Sequence, residues 1–384
     1  MFEIMKKVFG LLVVTLIMFA CSESDDTGIM TDDEGGVNPP VGTFDRSAML
    51  SNWADNIIIP SYVDFDTKIA ALETAVAAFS ADATTANLEL VRSEWLTAYS
   101  TWQRVSMFEI GPAETVNLRL NVNIYPTNTT LIQDNIQNEN YNLSLSSNRV
   151  AKGFPAIDYL LYGIAPTDEA IISKYEGSEA DALRHQNYLS AVVGDIRLLS
   201  TDVLEQWQGD YRDIFVNNDG ASATASTDRL VNDYIFYYEK FLRAGKMGIP
   251  GGVFSGTVES ENIEALYAGN LSKQFFLEGL NATQDFFNGK AYNTNSTGES
   301  LNSYLEELNT VSDGVALNDI INNQFNTART AVSNLRSFEE ELAVNPPSDF
   351  LEAYNQVQRV VPLLKVDMVS AMSISIDFAD ADGD

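Results

Sequence analysis

Histidine and cysteine are nearly missing from this chain: His185 and Cys21 are the only ones in 384 residues. One cysteine excludes an intrachain disulfide. One histidine excludes a two-histidine zinc site and a His-Glu-x-x-His helix, and leaves open a site that uses the single His185 with carboxylates. Basic residues are also scarce, 23 Lys and Arg against 54 Asp and Glu, for a net charge of -31. A duplex or single strand needs clustered cations to neutralise its phosphates, so nucleic acid is excluded as a partner. Electrostatic docking on anionic lipid fails on the same ground. Long apolar runs are absent too. The longest, residues 8–20, falls short of the ~20 residues that span a bilayer.

What is present begins with an export pattern. Lys6 and Lys7 precede that short apolar run, as in a secretory signal peptide over residues 1–20. Ala20 before Cys21 resembles a bacterial lipoprotein cleavage box, which makes Cys21 the acylated terminus and the membrane anchor. Residues 21–45 then carry acids, Ser, Gly and Pro with no base, the composition of a disordered tether. Ser22-Glu23-Ser24-Asp25-Asp26 resembles the acidic signal of surface-exposed lipoproteins of the Bacteroidota. The expected location is the cell envelope, on the outer membrane. The acidic body suits an extracytoplasmic protein, and a basic envelope protein is a conceivable partner.

From residue 46 onward the apolar period is helical. Tyr62, Phe65, Ile69, Leu72, Val76 and Phe79 step by three and four, as do Leu88, Val91, Trp95, Ala98, Trp102 and Val105. Gly111-Pro112 stops that pattern. Residues 113–148 form a long Asn- and Thr-rich connection with Tyr125-Pro126 inside it. Helical stripes resume over residues 182–207, 230–242, 266–287, 301–311 and 317–342, and in a last helix from Phe350 to Met372 that Pro362 should kink. The expected architecture is all-α, with helical-bundle halves over residues 46–208 and 209–384. Lys246 lies among glycines without P-loop spacing, so it reads as a helix end and not a phosphate cradle. Asp380, Asp382 and Asp384 begin with calcium-loop spacing but lack the downstream Glu.

One stretch interrupts the packing pattern: Gly153-Phe154-Pro155-Ala156-Ile157-Asp158-Tyr159-Leu160-Leu161-Tyr162-Gly163. A buried Asp158 there needs hydrogen bonds, an ion pair or a metal. Asp158, with Tyr159 and Tyr162, is therefore a candidate binding group. Glu109, Tyr125, Arg243, Lys246, Lys365 and Asp367 are candidates to meet it in one cleft. As structural alternatives, Arg243 and Lys246 are helix-end charges, and Lys365 and Asp367 an ion pair.

Several strings together resemble the imelysin-like family of bacterial envelope proteins. They are Trp53 to Tyr62, Trp95 and Trp102 with Gly111-Pro112, Lys246-Met247-Gly248-Ile249-Pro250, and the terminal Asp382-Gly383-Asp384. The resemblance covers residues 46–384 and implies two helical bundles with a functional site near their junction. It also implies the motif Gly-x-His-x-x-Glu, from which metallopeptidase activity is inferred. Here Gly153 matches, Pro155 stands at the His position and Asp158 at the Glu position. Family members are linked to iron uptake. An oxygen-rich acidic site suits a hard cation such as iron and not zinc. The expectation is a non-catalytic lipoprotein binding a metal or small ligand at the junction, in the service of iron acquisition. An envelope metallopeptidase and a structural interaction lipoprotein stay open as alternatives.

Overall fold

The computed structural model describes residues 44–376. The leader, Cys21, the tether and the three terminal aspartates lie outside the described residues.

The first helix starts where Asp45 accepts the Ala48 amide at 2.8 Å, a side-chain cap on an otherwise orphaned donor. It runs continuously over residues 46–81, so it begins earlier than Pro60-Ser61 suggests. Pro60 sits inside it and supplies no N–H. The turn Trp53–Ile58 widens, and the Ile59 amide bonds back five residues to the Ala54 carbonyl. The Asn56 carbonyl, which an α-helical residue 60 would have engaged, instead accepts the Tyr292 amide at 2.8 Å. The proline thus creates an attachment point for a distant loop.

This helix buries Tyr62, Phe65, Ile69, Leu72, Val76 and Phe79 against Thr85–Val105 and Ala180–Gln206. Trp95 and Trp102 are core, Trp102 tilted against Phe65 at 5.5 Å. A second group of helices packs Ser272–Phe287 against Leu317–Ser333, with Ser348–Gln358 behind. Ser272–Phe287 also packs on Thr85–Val105, with Tyr99 and Phe275 at 4.5 Å. The fold is all-α. Among the described residues the strands are a two-residue hairpin, Val311–Ser312 with Val315–Ala316, turned by Asp313 and Gly314 at positive φ.

Several boundaries differ from the sequence pattern for local reasons. Residues 113–148 hold three short helices, Pro112–Val116, Leu118–Val122 and Thr129–Asn138. The helix expected from Leu266 starts at Ser272, because Ala265, Gly269 and Asn270 adopt positive φ. The helix expected over residues 317–342 ends at Ser333 and restarts at Phe338, where Ser337 and Glu340 form a capping box. Residues 301–311 are helical only over Leu301–Glu307. Near Pro362 the last helix takes wide turns over Leu363–Met368.

Candidate functional site

Where Thr85–Val105 meets the wide-turned helix Tyr237–Gly248, five polar side chains join in a hydrogen-bond network that Gln103, Lys246 and Glu264 close into a ring. The Tyr99 hydroxyl donates to Asn123 Oδ1 at 2.5 Å. Asn123 Nδ2 donates to Glu264 Oε1 at 2.8 Å, and Gln103 Nε2 to the same oxygen at 3.2 Å. Lys246 Nζ donates to Gln103 Oε1 at 2.8 Å and to Glu264 Oε2. Gln103, Lys246 and Glu264 are buried. Burial pulls the Lys246 ammonium below its ordinary range while Glu264 acts in the opposite sense. Burial, reinforced by Glu264, raises the Tyr99 hydroxyl well above its ordinary value, so it stays a donor.

Gln103, Asn123 and Lys246 of this network line a small void of about 20 Å³, room for about one water. Arg119, Ser106 and Tyr237 line it as well. The Ser106 and Tyr237 hydroxyls are buried and face each other, and neither has a further hydrogen-bond partner among the described residues. Burial pushes the Tyr237 hydroxyl up to about 12. Above the void opens a mostly apolar cavity of about 420 Å³. Asn123, Tyr125 and Phe241 are common to both spaces, and Ile124, Ile249 and Lys240 complete the upper walls. Gly245 lies beside the Tyr125 hydroxyl in the wall of this cavity.

Beside the void, Arg119 donates to Asp233 at 3.0 Å and to the Ser106 carbonyl at 2.7 Å, and its guanidinium lies 4.6 Å from the Phe241 ring centre. Glu109 accepts the Arg119 amide at 2.7 Å. Burial raises its carboxyl to about 7, opposed by Arg119.

Of the residues singled out in the sequence, Tyr125 and Lys246 meet here, and Glu109 adjoins through Arg119. Asp158 does not line either space. It is buried, and its two oxygens accept the Tyr267 and Ala268 amides at 2.9 and 2.8 Å. Burial raises it to about 7 against the pull of those two bonds. Asp158 thereby fastens the loop that presents Glu264. Gly153, at positive φ, packs against the Val122 carbonyl, where a Cβ would collide, and so seats the backbone next to Asn123. Pro155 is buried beside them. Tyr159 accepts from Gln133 at 2.9 Å, and Tyr162 lies under Arg92, 4.3 Å from the guanidinium. Arg243 reaches Tyr354 and Gln358. Lys365 pairs with buried Glu239 at 3.1 Å and not with Asp367, which is exposed. These last three stand apart from the ring.

Gln103, Asn123, Glu264, Arg119 and Tyr237 were not singled out. Gln103 carried a usable signal, since it follows Tyr99 by four residues on a helix and must share its buried face.

The imelysin family model matches residues 58–364. The chain belongs to the imelysin family. Iron-regulated protein A of Synechococcus elongatus is 28% identical over 118 residues, covering 29% of this chain and 31% of that one. The match thus spans under a third of that relative's length. Among solved structures, one assigned as an iron-regulated protein A precursor from Parabacteroides distasonis aligns with a TM-score of 0.66 at 15% identity, over 84% of this chain and 95% of its own. An imelysin-like protein from Psychrobacter arcticus aligns with a TM-score of 0.64 at 15% identity, over 87% and 97%. At that identity the two structures establish the fold alone.

The metal that the family motif implies can be tested against this imelysin's own donors. Both Asp158 oxygens face backbone N–H groups, Pro155 has no donor, and His185 turns its Nδ1 to the Asp181 carbonyl at 2.8 Å within its own helix. Among the described residues no three His, Cys, Asp or Glu side chains converge as a metal site. The motif residues do not fit a bound metal.

Proposed function

We propose that this imelysin is a non-catalytic, lipid-anchored envelope protein that binds a small organic molecule at the junction of its helical groups. The reading rests on one observation: the buried Ser106 and Tyr237 hydroxyls face each other and have no further hydrogen-bond partner among the described residues, at the foot of a cavity walled by Tyr125 and Phe241. Buried polar groups are ordinarily satisfied, and a site with apolar walls and a few convergent polar groups is the usual form of a ligand pocket. The molecule has a flat apolar body for the Phe241 and Tyr125 faces and a hydroxyl or carbonyl end for the floor. A service in iron acquisition agrees with the names of the iron-regulated relatives, the ligand then being an organic molecule and not a bare ion.

The test uses the mature chain, incubated with a small-molecule extract of bacterial envelope and examined by native mass spectrometry. Wild type retains a bound mass that Phe241→Ala loses and Tyr237→Phe retains less well. Equal retention by all three proteins refutes the site. Calorimetry with ferric and ferrous salts on wild type and Asp158→Ala forms the second arm. Metal binding that depends on Asp158 overturns the organic-ligand reading.

A further inference from the structure

A second hollow lies on another face of the helix that carries Gln103. Its volume is about 270 Å³, near the lower end of small-molecule sites. Met107, Phe108 and Phe286 make its floor, and both phenylalanines are buried. Arg104, Lys290 and Tyr292 make its rim.

The rim is held in place before any ligand arrives. The Tyr292 amide donates to the Asn56 carbonyl freed by Pro60, and its hydroxyl donates to Asp64 at 2.7 Å. The Asn52 side chain donates to the Gly289 and Glu299 carbonyls at 3.1 and 3.0 Å, tying both ends of the loop to the first helix. A wall fixed in this way adds no ordering cost on binding.

The charges at the rim are unequal. Lys290 is met by both oxygens of Asp285 at 3.3 Å, and Asp64 is faced by Lys68 at 3.8 Å. Arg104 has only neutral partners among the described residues, the Asn293 side-chain oxygen at 3.5 Å and the Tyr292 ring at 5.8 Å. One positive charge therefore remains over an aromatic floor, in a chain of net charge -31. A guanidinium pairs best with a planar oxyanion. Asp285 and Asp64 nearby disfavour a doubly charged anion such as phosphate.

We propose that this hollow binds a small monocarboxylate with a flat apolar body, its carboxylate on Arg104 and its ring on Phe108 and Phe286. The proposal stands apart from the junction site and needs none of its residues.

The probe is benzoate, titrated by calorimetry into the mature full-length chain, with benzamide as the neutral isostere and acetate as the carboxylate without a ring. Benzoate binds, and benzamide and acetate bind at least about tenfold more weakly, each having lost one half of the recognition. Arg104→Gln weakens benzoate at least about tenfold, and Arg104→Lys recovers part of that loss. Circular dichroism confirms that each variant is folded, and chemical-shift changes of labelled Phe108 and Phe286 in wild type report the location independently of any variant. Absence of benzoate binding up to millimolar concentration overturns the proposal. So does equal binding of benzamide, indifference to Arg104→Gln, or sensitivity to Lys246→Met in its place.

Discussion

Replacing Lys246 by Met removes the cation from the junction ring while keeping a long, unbranched side chain in its space. Glu264 then remains, 1% exposed, with Asn123 and Gln103 as its donors at 2.8 and 3.2 Å. Breaking a buried pair from one side leaves an uncompensated charge and costs about 3–5 kcal/mol. The two amide donors persist, so the loss belongs at the lower end, about 3 kcal/mol. Glu264→Gln removes the carboxylate paired with Lys246 and leaves it neutral amide acceptors, Gln103 Oε1 at 2.8 Å among them, and costs a similar amount. The double variant carries no buried charge at these two positions and should recover to within about 1 kcal/mol of wild type. The cycle thus predicts a coupling of about 3 kcal/mol or more. Trp53, Trp95, Trp102 and Trp207 are all buried, so urea unfolding followed by tryptophan fluorescence reads the transition, with circular dichroism as a check that the two probes coincide. Losses that add within about 0.5 kcal/mol would refute the claim that the two groups act as one unit.

Other expectations rest on single positions. Gly153→Ala should destabilise by about 2 kcal/mol or more, since the residue holds φ +76 and a Cβ meets the Val122 carbonyl; an unchanged urea midpoint would contradict this. Asp158 titrates at about 7 in the folded chain, above its ordinary value, so its contribution is fully present below about pH 4 and is lost as pH rises through 7. Stability curves of wild type and Asp158→Asn should therefore differ in slope between about pH 4 and 7, the variant being flatter, and parallel curves would refute the assignment. Ser337→Ala removes the cap that restarts the chain at Phe338 and should cost about 1 kcal/mol in a thermal melt, whereas no shift would show the break to be held by packing alone.

How much of this was legible in the sequence depends on the length scale of the cause. The stripes from Tyr62 to Phe79 and from Leu88 to Val105 are local repeats, and both became core helices. The break inside residues 317–342 left a local trace as well, Ser337 followed three places later by Glu340, yet the apolar period on both sides masked it. Wide turns have no comparable signature. At Trp53–Ile58 only Pro60 hints at one, and the carbonyl it releases finds its partner at Tyr292 across the fold. The junction ring is non-local throughout. Gln103 and Glu264 lie 161 residues apart, and a polar residue in an apolar stripe reads as surface until its partner is known.

The motif stretch shows why chemistry and scaffold can part company. Read as chemistry, Gly153 to Asp158 has lost its imidazole to Pro155. In the fold, its two ends do mechanical work on the same site from opposite sides. Gly153 lets the Val122 carbonyl approach and so sets Asn123; Asp158 holds the Tyr267 and Ala268 amides and so sets Glu264. Asn123 and Glu264 then bond to each other at 2.8 Å in the network around Lys246. Neither task requires a histidine between them. A proline in that position, with no N–H to leave unsatisfied in the first turn of helix Gly153–Asp158, costs the scaffold little. The junction floor can therefore persist intact in a chain whose motif no longer offers a metal a nitrogen ligand, and the proposed binding at that floor is separable from the peptidase chemistry inferred from the family motif.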